Sequence, residues 1–412
     1  MYKEIKACRI CGNTKLETVL DLGEQMLTGV FPKSRQQKAT VGPIILVKCD
    51  GHDSCGLLQL KHSYNLEEMY GLNYGYRSGL NLSMVQHLNK KVQKILATMD
   101  LKSGDLVIDI GSNDSTTLKS YPINLNLELV GVDPTGKKFH SYYPENVKLI
   151  PDFFSAQLVK NAYPSLKAKV VTSFSMFYDL ESPLDFMKEV YSILDDNGIW
   201  VFEQSYMPKM LDTNSYDTVC HEHLEFYSLS QIKWMTDKVG FKIVDIEFND
   251  VNGGSFSVTV SKSQSAKPES PQVAKILQEE KRLKLDTKEP YLEFFERVKK
   301  SKSDLLQFLK KCKSDGKRVA ALGASTKGNV LLQYCNLTEE FVSCVGEVNS
   351  EKYGCYTPGT YLPIIEENKM IQENFDYLIV LPWHFKNFFL NNKKLSGQTL
   401  VFPLPELEVV KL

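Results

Sequence analysis

The pattern of apolar and polar positions separates three blocks along the chain. The first, to about residue 75, contains cysteine pairs and many turn residues. The second, from about 80 to 260, opens with a predicted helix from Leu82 to Met99. Short apolar runs then predict strands at Leu106–Ile110, Leu127–Val132, Lys148–Ile150, Ala168–Ser173 and Gly198–Gln204, with helical segments between them. Strands alternating with helices imply a parallel sheet. Gln264 to Pro271 is polar, holds two prolines and reads as a linker, and a charged helical run from Val273 to Lys313 follows. The third block has a strand at Arg318–Leu322, a helix after Gly328, strands near Val342–Gly346 and Tyr377–Leu381, and a Pro-containing tail. It reads as a second βαβ unit. There is no repeat of fixed period and no low-complexity tract. The division expected is 1–75, 76–265 and 266–412, in an α/β protein.

Length and charge narrow the classes. At about 150 residues per domain, 412 residues predict two to three domains. Lys and Arg number 49 against 50 for Asp and Glu, so no basic excess drives binding to nucleic acid. Ordinary apolar (42%) and charged (24%) fractions exclude disorder, collagen and coiled coil as the main architecture. No apolar run reaches the roughly 18 residues of a membrane span. The segment MYKEIKACRICG lacks the apolar core of a secretion signal, so a cytoplasmic protein is expected. Nine cysteines in such a chain are not a disulfide framework.

Four of them, Cys8, Cys11, Cys49 and Cys55, fall in the first block. Cys8-x-x-Cys11 and the longer Cys49–Cys55 pair are each followed by Gly, as in a zinc ribbon that presents four thiolates tetrahedrally. His52, inside the second pair, is an alternative ligand. A closed site of this kind is structural and offers no open position for catalysis.

The strand Leu106–Ile110 carries Asp109 and runs into Gly111-Ser112-Asn113-Asp114. One Gly is too few for the dinucleotide fingerprint. It fits an adenosyl cofactor without a pyrophosphate, S-adenosylmethionine (SAM). Asp133, at the tip of the next strand, is placed to hold ribose hydroxyls, and Asp152 with Phe153 after the third strand to hold adenine.

Cys220-His221-Glu222-His223 is the densest chemical cluster. It is not H-E-x-x-H, so the helical zinc-protease reading fails. In an extended segment His221 and His223 would point one way and Glu222 the other. A catalytic base is the reading preferred to a two-His metal site or to satisfied histidines.

Taken in order, these motifs resemble the three-domain nucleotide-sugar C-methyltransferases of deoxysugar biosynthesis, over nearly the whole chain. Further matching pieces are Cys55-Gly-Leu-Leu-Gln-Leu, Tyr74-Gly-Tyr-Arg-Ser78, Asn252-Gly-Gly-Ser255, Gly323-Ala-Ser-Thr-Lys-Gly-Asn329 and Tyr356-Thr-Pro-Gly-Thr360. The resemblance implies a zinc-ribbon domain, a class I SAM-methyltransferase sheet and a C-terminal Rossmann-like domain that binds the nucleotide sugar. It also implies methylation of a carbon beside a ketone, on a sugar linked to a nucleoside diphosphate. His223 is then the base, with Glu222 and Tyr76 flanking the sugar and His221 beside them. Asp109, Gly111, Ser112, Asn113 and Asp133 hold the methyl donor. The chain departs from the family at Ser115, usually Gly, and at Cys220, usually a sugar-contacting Tyr. It also lacks a His in Ser175–Asp179, and its second cysteine knuckle is longer.

Lys327 sits where a strand runs into a helix and adds charge for the diphosphate; helix-start amides there bind anions. Glu347 is placed to hold a ribose. His384, beside Trp383, faces the sugar or packs. The rival readings are O- or N-methylation of a nucleotide-linked sugar, and a non-catalytic SAM-binding zinc-ribbon protein. No nucleic-acid or membrane partner is expected, and the sequence leaves monomer and dimer open.

Overall fold

The computed structural model describes residues 2–70 and 76–412, apart from the side chain of Tyr70. Tyr74 and Gly75, and with them the expected boundary at 75/76, lie outside the described residues. Among the described residues no helix is long and apolar enough to cross a membrane.

The middle block folds as a seven-stranded sheet. From one edge to the other its strands are Val147–Ile150, Glu128–Val132, Leu106–Ile110, Ala168–Phe174, Leu194–Ser205, Ser255–Lys262 and Phe241–Asn249. All neighbours are parallel except Ser255–Lys262, which runs against both of its partners. Both faces are covered. Val92 and Ile95 of helix Leu82–Thr98 pack with Val107, Val170 and Val201 on one side. Trp200, Phe202, Phe177 and Phe241 build the other. Burial on both faces is why the central strands are near-continuous apolar runs. The closing hairpin, Phe241–Asn249 with Ser255–Lys262, has a half-exposed edge strand, and the apolar pattern did not single it out.

The first block is more ordered than its turn residues suggested. Leu16–Met26, Val41–Cys49 and Leu58–Leu60 form an antiparallel sheet. Two register shifts interrupt the alternation of Leu16–Met26, between Thr18 and Leu20 and between Asp21 and Glu24. The fourth strand of this sheet is Glu225–Phe226, which comes from the middle block.

The charged run is two helices, Gln272–Arg282 and Glu289–Ser314. Lys284 in the left-handed region and a proline in the first turn of the second helix separate them. The last sheet has six strands in the order Ile364–Glu366, Val345–Glu347, Val319–Leu322, Tyr377–Val380, Thr399–Phe402 and Glu408–Lys411. Only the final strand, from the Pro-containing tail, is antiparallel. Helix Thr326–Tyr334 starts before Gly328, not after it, because Ser325 caps it by accepting from the Gly328 amide.

Each α/β sheet has a switch point beside its first strand, where ligands of open sheets bind. In the middle sheet it lies between Leu106–Ile110 and Ala168–Phe174. In the last sheet it lies between Val319–Leu322 and Tyr377–Val380.

Candidate active site and metal centre

The Sγ atoms of Cys8, Cys11, Cys49 and Cys55 all lie within 4.8 Å of one another. Cys8 faces Cys55 at 3.5 Å and Cys11 faces Cys49 at 3.4 Å. Four thiols gathered this closely fit a tetrahedral zinc ion. Gly12 and Gly56 take positive φ after their knuckles, and Asn13 Nδ2 reaches Cys49 Sγ at 3.3 Å. His52 is outside the cluster: its exposed ring meets Asp53 at 3.0 Å. The alternative ligand therefore gives way to the four cysteines.

At the first switch point Gly111 (φ 74°), Asn113 (φ 48°) and Ser115 (φ 67°) bend the loop back over the sheet. Asp133 Oδ2 accepts from the Asn113 amide at 2.7 Å, and its Oδ1 accepts from the Thr135 amide and hydroxyl, both at 2.6 Å. Thr135 fills Oδ1, and Oδ2 keeps lone-pair capacity for a ribose hydroxyl. Asp109 accepts from Thr172 Oγ1 at 2.6 Å, and burial pushes its carboxyl up to about 7. Burial also raises Asp133. Asp152 and Phe153 are exposed beyond the third strand, Phe153 by 46%. An aromatic face left open beside buried carboxylates fits an adenosyl group carrying a positive sulfonium. Tyr76 is half exposed, and its carbonyl accepts from Asn113 Nδ2 at 3.3 Å. Ser78 and Gly79 donate backbone amides to Asn113 and Asp114. The side chains of Asn113 and Asp114 thus strap residues 76–79 to the loop.

The His-Glu-His segment is a turn, not an extended strand, because the His223 amide returns to the Cys220 carbonyl at 3.2 Å. His221 and Glu222 consequently meet the first lobe, whereas His223 turns to the core. His221 is fully buried, edge-on to Tyr64 of the first lobe at 4.6 Å. Glu222 accepts from Thr28 Oγ1 at 3.2 Å. Gly29 leaves Glu222 room: a Cβ there would sit 2.4 Å from Oε1. His223 lies against the Tyr178 ring at 4.4 Å, and its Nδ1 is 2.7 Å from the Thr218 carbonyl. A carbonyl can only accept, so Nδ1 carries the proton and Nε2 the lone pair. Burial, reinforced by the charge of Lys327, holds His223 down to about 4. It is neutral at pH 7, with Nε2 unprotonated. Burial raises Glu222, and Cys220 is wholly buried.

The last lobe supplies the opposite wall. Lys327 Nζ donates to the Asn252 carbonyl at 2.7 Å, and Asn252 Nδ2 meets Ser175 Oγ at 3.4 Å. Trp383 Nε1 donates to buried Asp217 Oδ2 at 2.9 Å. His384 is held down to about 3, mainly by burial and then by Lys327. Glu347 is tied to its own loop: Oε2 accepts from the Ala324 amide at 2.9 Å, and Oε1 from the amides of Val348 and Asn349. The structure therefore gathers His223, Glu222, Lys327 and His384 where three lobes meet. Tyr178, Asp217, Thr28 and the Thr218 carbonyl were not anticipated. Tyr178 was within reach, since it directly follows a strand tip in Ser175–Asp179.

The seven-stranded sheet with its single reversed strand, and the glycine loop at its switch point, define a SAM-dependent methyltransferase. The family models agree: residues 8–70 match "Putative zinc binding domain", 72–246 "Methyltransferase domain" and 250–405 "C-methyltransferase C-terminal domain". The chain thus carries these three domains in order, with SAM and structural zinc as its cofactors. The C-methyltransferase NovU of Streptomyces niveus is 27% identical over 416 residues, covering 100% of this chain and 98% of its own. Magnesium protoporphyrin IX methyltransferase (ChlM) of Synechocystis PCC 6803, solved with bound SAM, is 14% identical, with a TM-score of 0.33 over 43% of this chain and 79% of its own. The plantazolicin methyltransferase BpumL, solved with SAH, is 12% identical, with a TM-score of 0.36 over 45% of this chain and 88% of its own.

Proposed function

We propose that the protein methylates a carbon beside the ketone of a keto-deoxy sugar linked to a nucleoside diphosphate, in the cytoplasm. The observation that carries this reading is His223, a half-buried neutral imidazole whose Nδ1 is fixed on Thr218, leaving Nε2 as the acceptor. Transfer to oxygen or nitrogen starts from a lone pair already present, whereas transfer to carbon first needs a C–H proton removed. When bound, SAM supplies an electrophilic methyl group on a good leaving group. Everything else falls to the chain. Asp109, Gly111, Ser112, Asn113 and Asp133 hold the donor, with Asp152 and Phe153 at its adenine. His223 Nε2 removes the proton beside the ketone. Glu222 and Tyr76 flank the sugar, with Cys220 and His221 shaping the turn beneath them. Lys327, Glu347 and His384 belong to the substrate side. We assign residues 1–75 to the zinc domain, 76–265 to the methyltransferase core and 266–412 to the nucleotide-sugar domain.

The test is incubation with SAM and a panel of nucleotide-linked 4-keto-6-deoxy sugars in heavy water, read by mass spectrometry and product NMR. The expected product gains one methylene, bears a C–CH3 group and exchanges deuterium beside the ketone. A methyl resonance shifted by oxygen or nitrogen would replace this reading with heteroatom transfer.

A further inference from the structure

Lys327 is a half-buried cation with donors to spare. Among the described residues its ammonium makes one hydrogen bond, to the Asn252 carbonyl, and no ion pair within 4 Å. An ammonium has three N–H donors, so two remain to meet a ligand. The surrounding architecture is built to hold it there. Asn252, Gly253 and Gly254 take φ values of 56°, 92° and 120°, a left-handed turn that aims the Asn252 carbonyl at Lys327. The same turn meets Ser175 of the core and lies against His384.

Lys327 and the base share a frame. The turn Tyr216–Thr218 gives His223 its Thr218 carbonyl. That turn is clamped to the last lobe by the Tyr216 ring on Tyr334, 5.4 Å away, and by Trp383 on Asp217. The charge of Lys327 is felt at both His223 and His384.

The diphosphate role expected from sequence asks for several donors at the helix start. Three amides around it are occupied: Ala324 donates to Glu347, Ser325 to the Gly323 carbonyl and Gly328 to Ser325 Oγ, which leaves those of Thr326 and Lys327. One ammonium with spare donors suits one oxygen.

We propose that Lys327 binds the keto oxygen of the substrate and stabilises the negative charge that oxygen gains when His223 removes the neighbouring proton. This rests on the carbon-methylation reading. The C–H bond breaks, its proton goes to His223 Nε2, its electron pair forms the C=C bond, and the carbonyl π pair moves onto the oxygen facing Lys327. No methyl donor is needed for this half-reaction, so exchange can be followed without SAM.

The experiment follows deuterium uptake beside the ketone by NMR, with dTDP-, UDP- and GDP-linked 4-keto-6-deoxyglucose and no SAM. It compares wild type, Lys327→Met and Lys327→Gln. Lys327 makes no ion pair within 4 Å, although buried Asp217 acts on it from further off, so retention of the fold in Lys327→Met is checked by melting and SAM binding. The expected result is exchange by wild type and a loss of about 10²–10³-fold in both variants. Affinity for the same sugar nucleotide and for free nucleoside diphosphate should stay within about threefold. Exchange at the wild-type rate in Lys327→Met overturns the assignment. Parallel loss of nucleoside diphosphate affinity returns Lys327 to the diphosphate. Full activity in Lys327→Gln, or unfolding of Lys327→Met, makes it a tie to Asn252 instead. If wild type exchanges none of the three sugars, the parent reading falls, and this role with it.

Discussion

The two α/β lobes repeat one device and give it opposite charge. In each, a strand runs into a glycine with positive φ, Gly111 or Gly323. In each, the acid at the tip of the neighbouring strand accepts a backbone amide from that loop: Asp133 from Asn113, and Glu347 from Ala324. Around the first loop the buried charges are the carboxylates Asp109, Asp114 and Asp133. Around the second stand Lys352, whose Nζ donates to the Ala324 carbonyl and lies 3.9 Å from Glu347, and Lys327. Pro382 also rests on the second glycine, where a Cβ would meet it at 2.8 Å. The first loop is an acidic cradle suited to a sulfonium. The second is closed on itself and delivers a cation to the cleft. Backbone pattern alone does not say which ligand a Rossmann-like loop serves; the charges set around it do.

The largest expected effect lies in the cleft between the lobes. His223→Asn should lower kcat about 10²–10⁴-fold while calorimetry shows SAM binding nearly unchanged. Normal turnover would remove His223 as the base and leave the cleft without its acceptor.

Next, Asp133→Asn should weaken SAM binding about 10–100-fold, the cost of losing a charged acceptor in a buried loop. Glu347→Gln should leave SAM affinity unchanged. Equal losses in both would erase the contrast between the lobes.

A third prediction concerns pH. Asp109 is held up to about 7 by burial, so the folded protein binds its proton more tightly than the unfolded chain does. Stability from this group is greatest below about pH 4 and is lost as pH rises toward 7. Asp109→Asn should therefore gain stability over wild type between pH 4 and 7, by at most about 4 kcal/mol, and level off above. A gain that does not vary with pH in paired melts would mean Asp109 is charged in the cradle.

The smallest effect is Ser115→Gly. Ser115 is buried with φ 67°, a conformation glycine adopts freely. The substitution should raise stability by about 1 kcal/mol in denaturant melts. The same change at a residue of the second loop with negative φ, Ser325, should lower stability, because it removes a helix cap.

What the sequence disclosed follows from what was local. The core strands were legible because burial on both faces makes them unbroken apolar runs. The metal centre was legible because its two knuckles are short and each ends in glycine. The hairpin Phe241–Lys262 was not, since its exposed edge strand dilutes the apolar signal. The meeting of Lys327, His384 and His223 was not either. It depends on how lobes dock, and residues such as Asp217 and Thr28 matter only through partners far along the chain. The divergent sides of His221 and His223 hinge on one backbone hydrogen bond, His223 to Cys220, which no spacing rule reveals.

The strand Glu225–Phe226 has a consequence in time. The first lobe cannot finish its sheet when its own residues leave the ribosome, because its last strand is made only after most of the core. Until then Leu58–Leu60 presents an open edge, and Arg9, beside the first knuckle, waits for the buried Glu225, 3.7 Å away in the finished protein. A chain that stalls before residue 226 therefore holds a first lobe with an exposed edge for other strands to join.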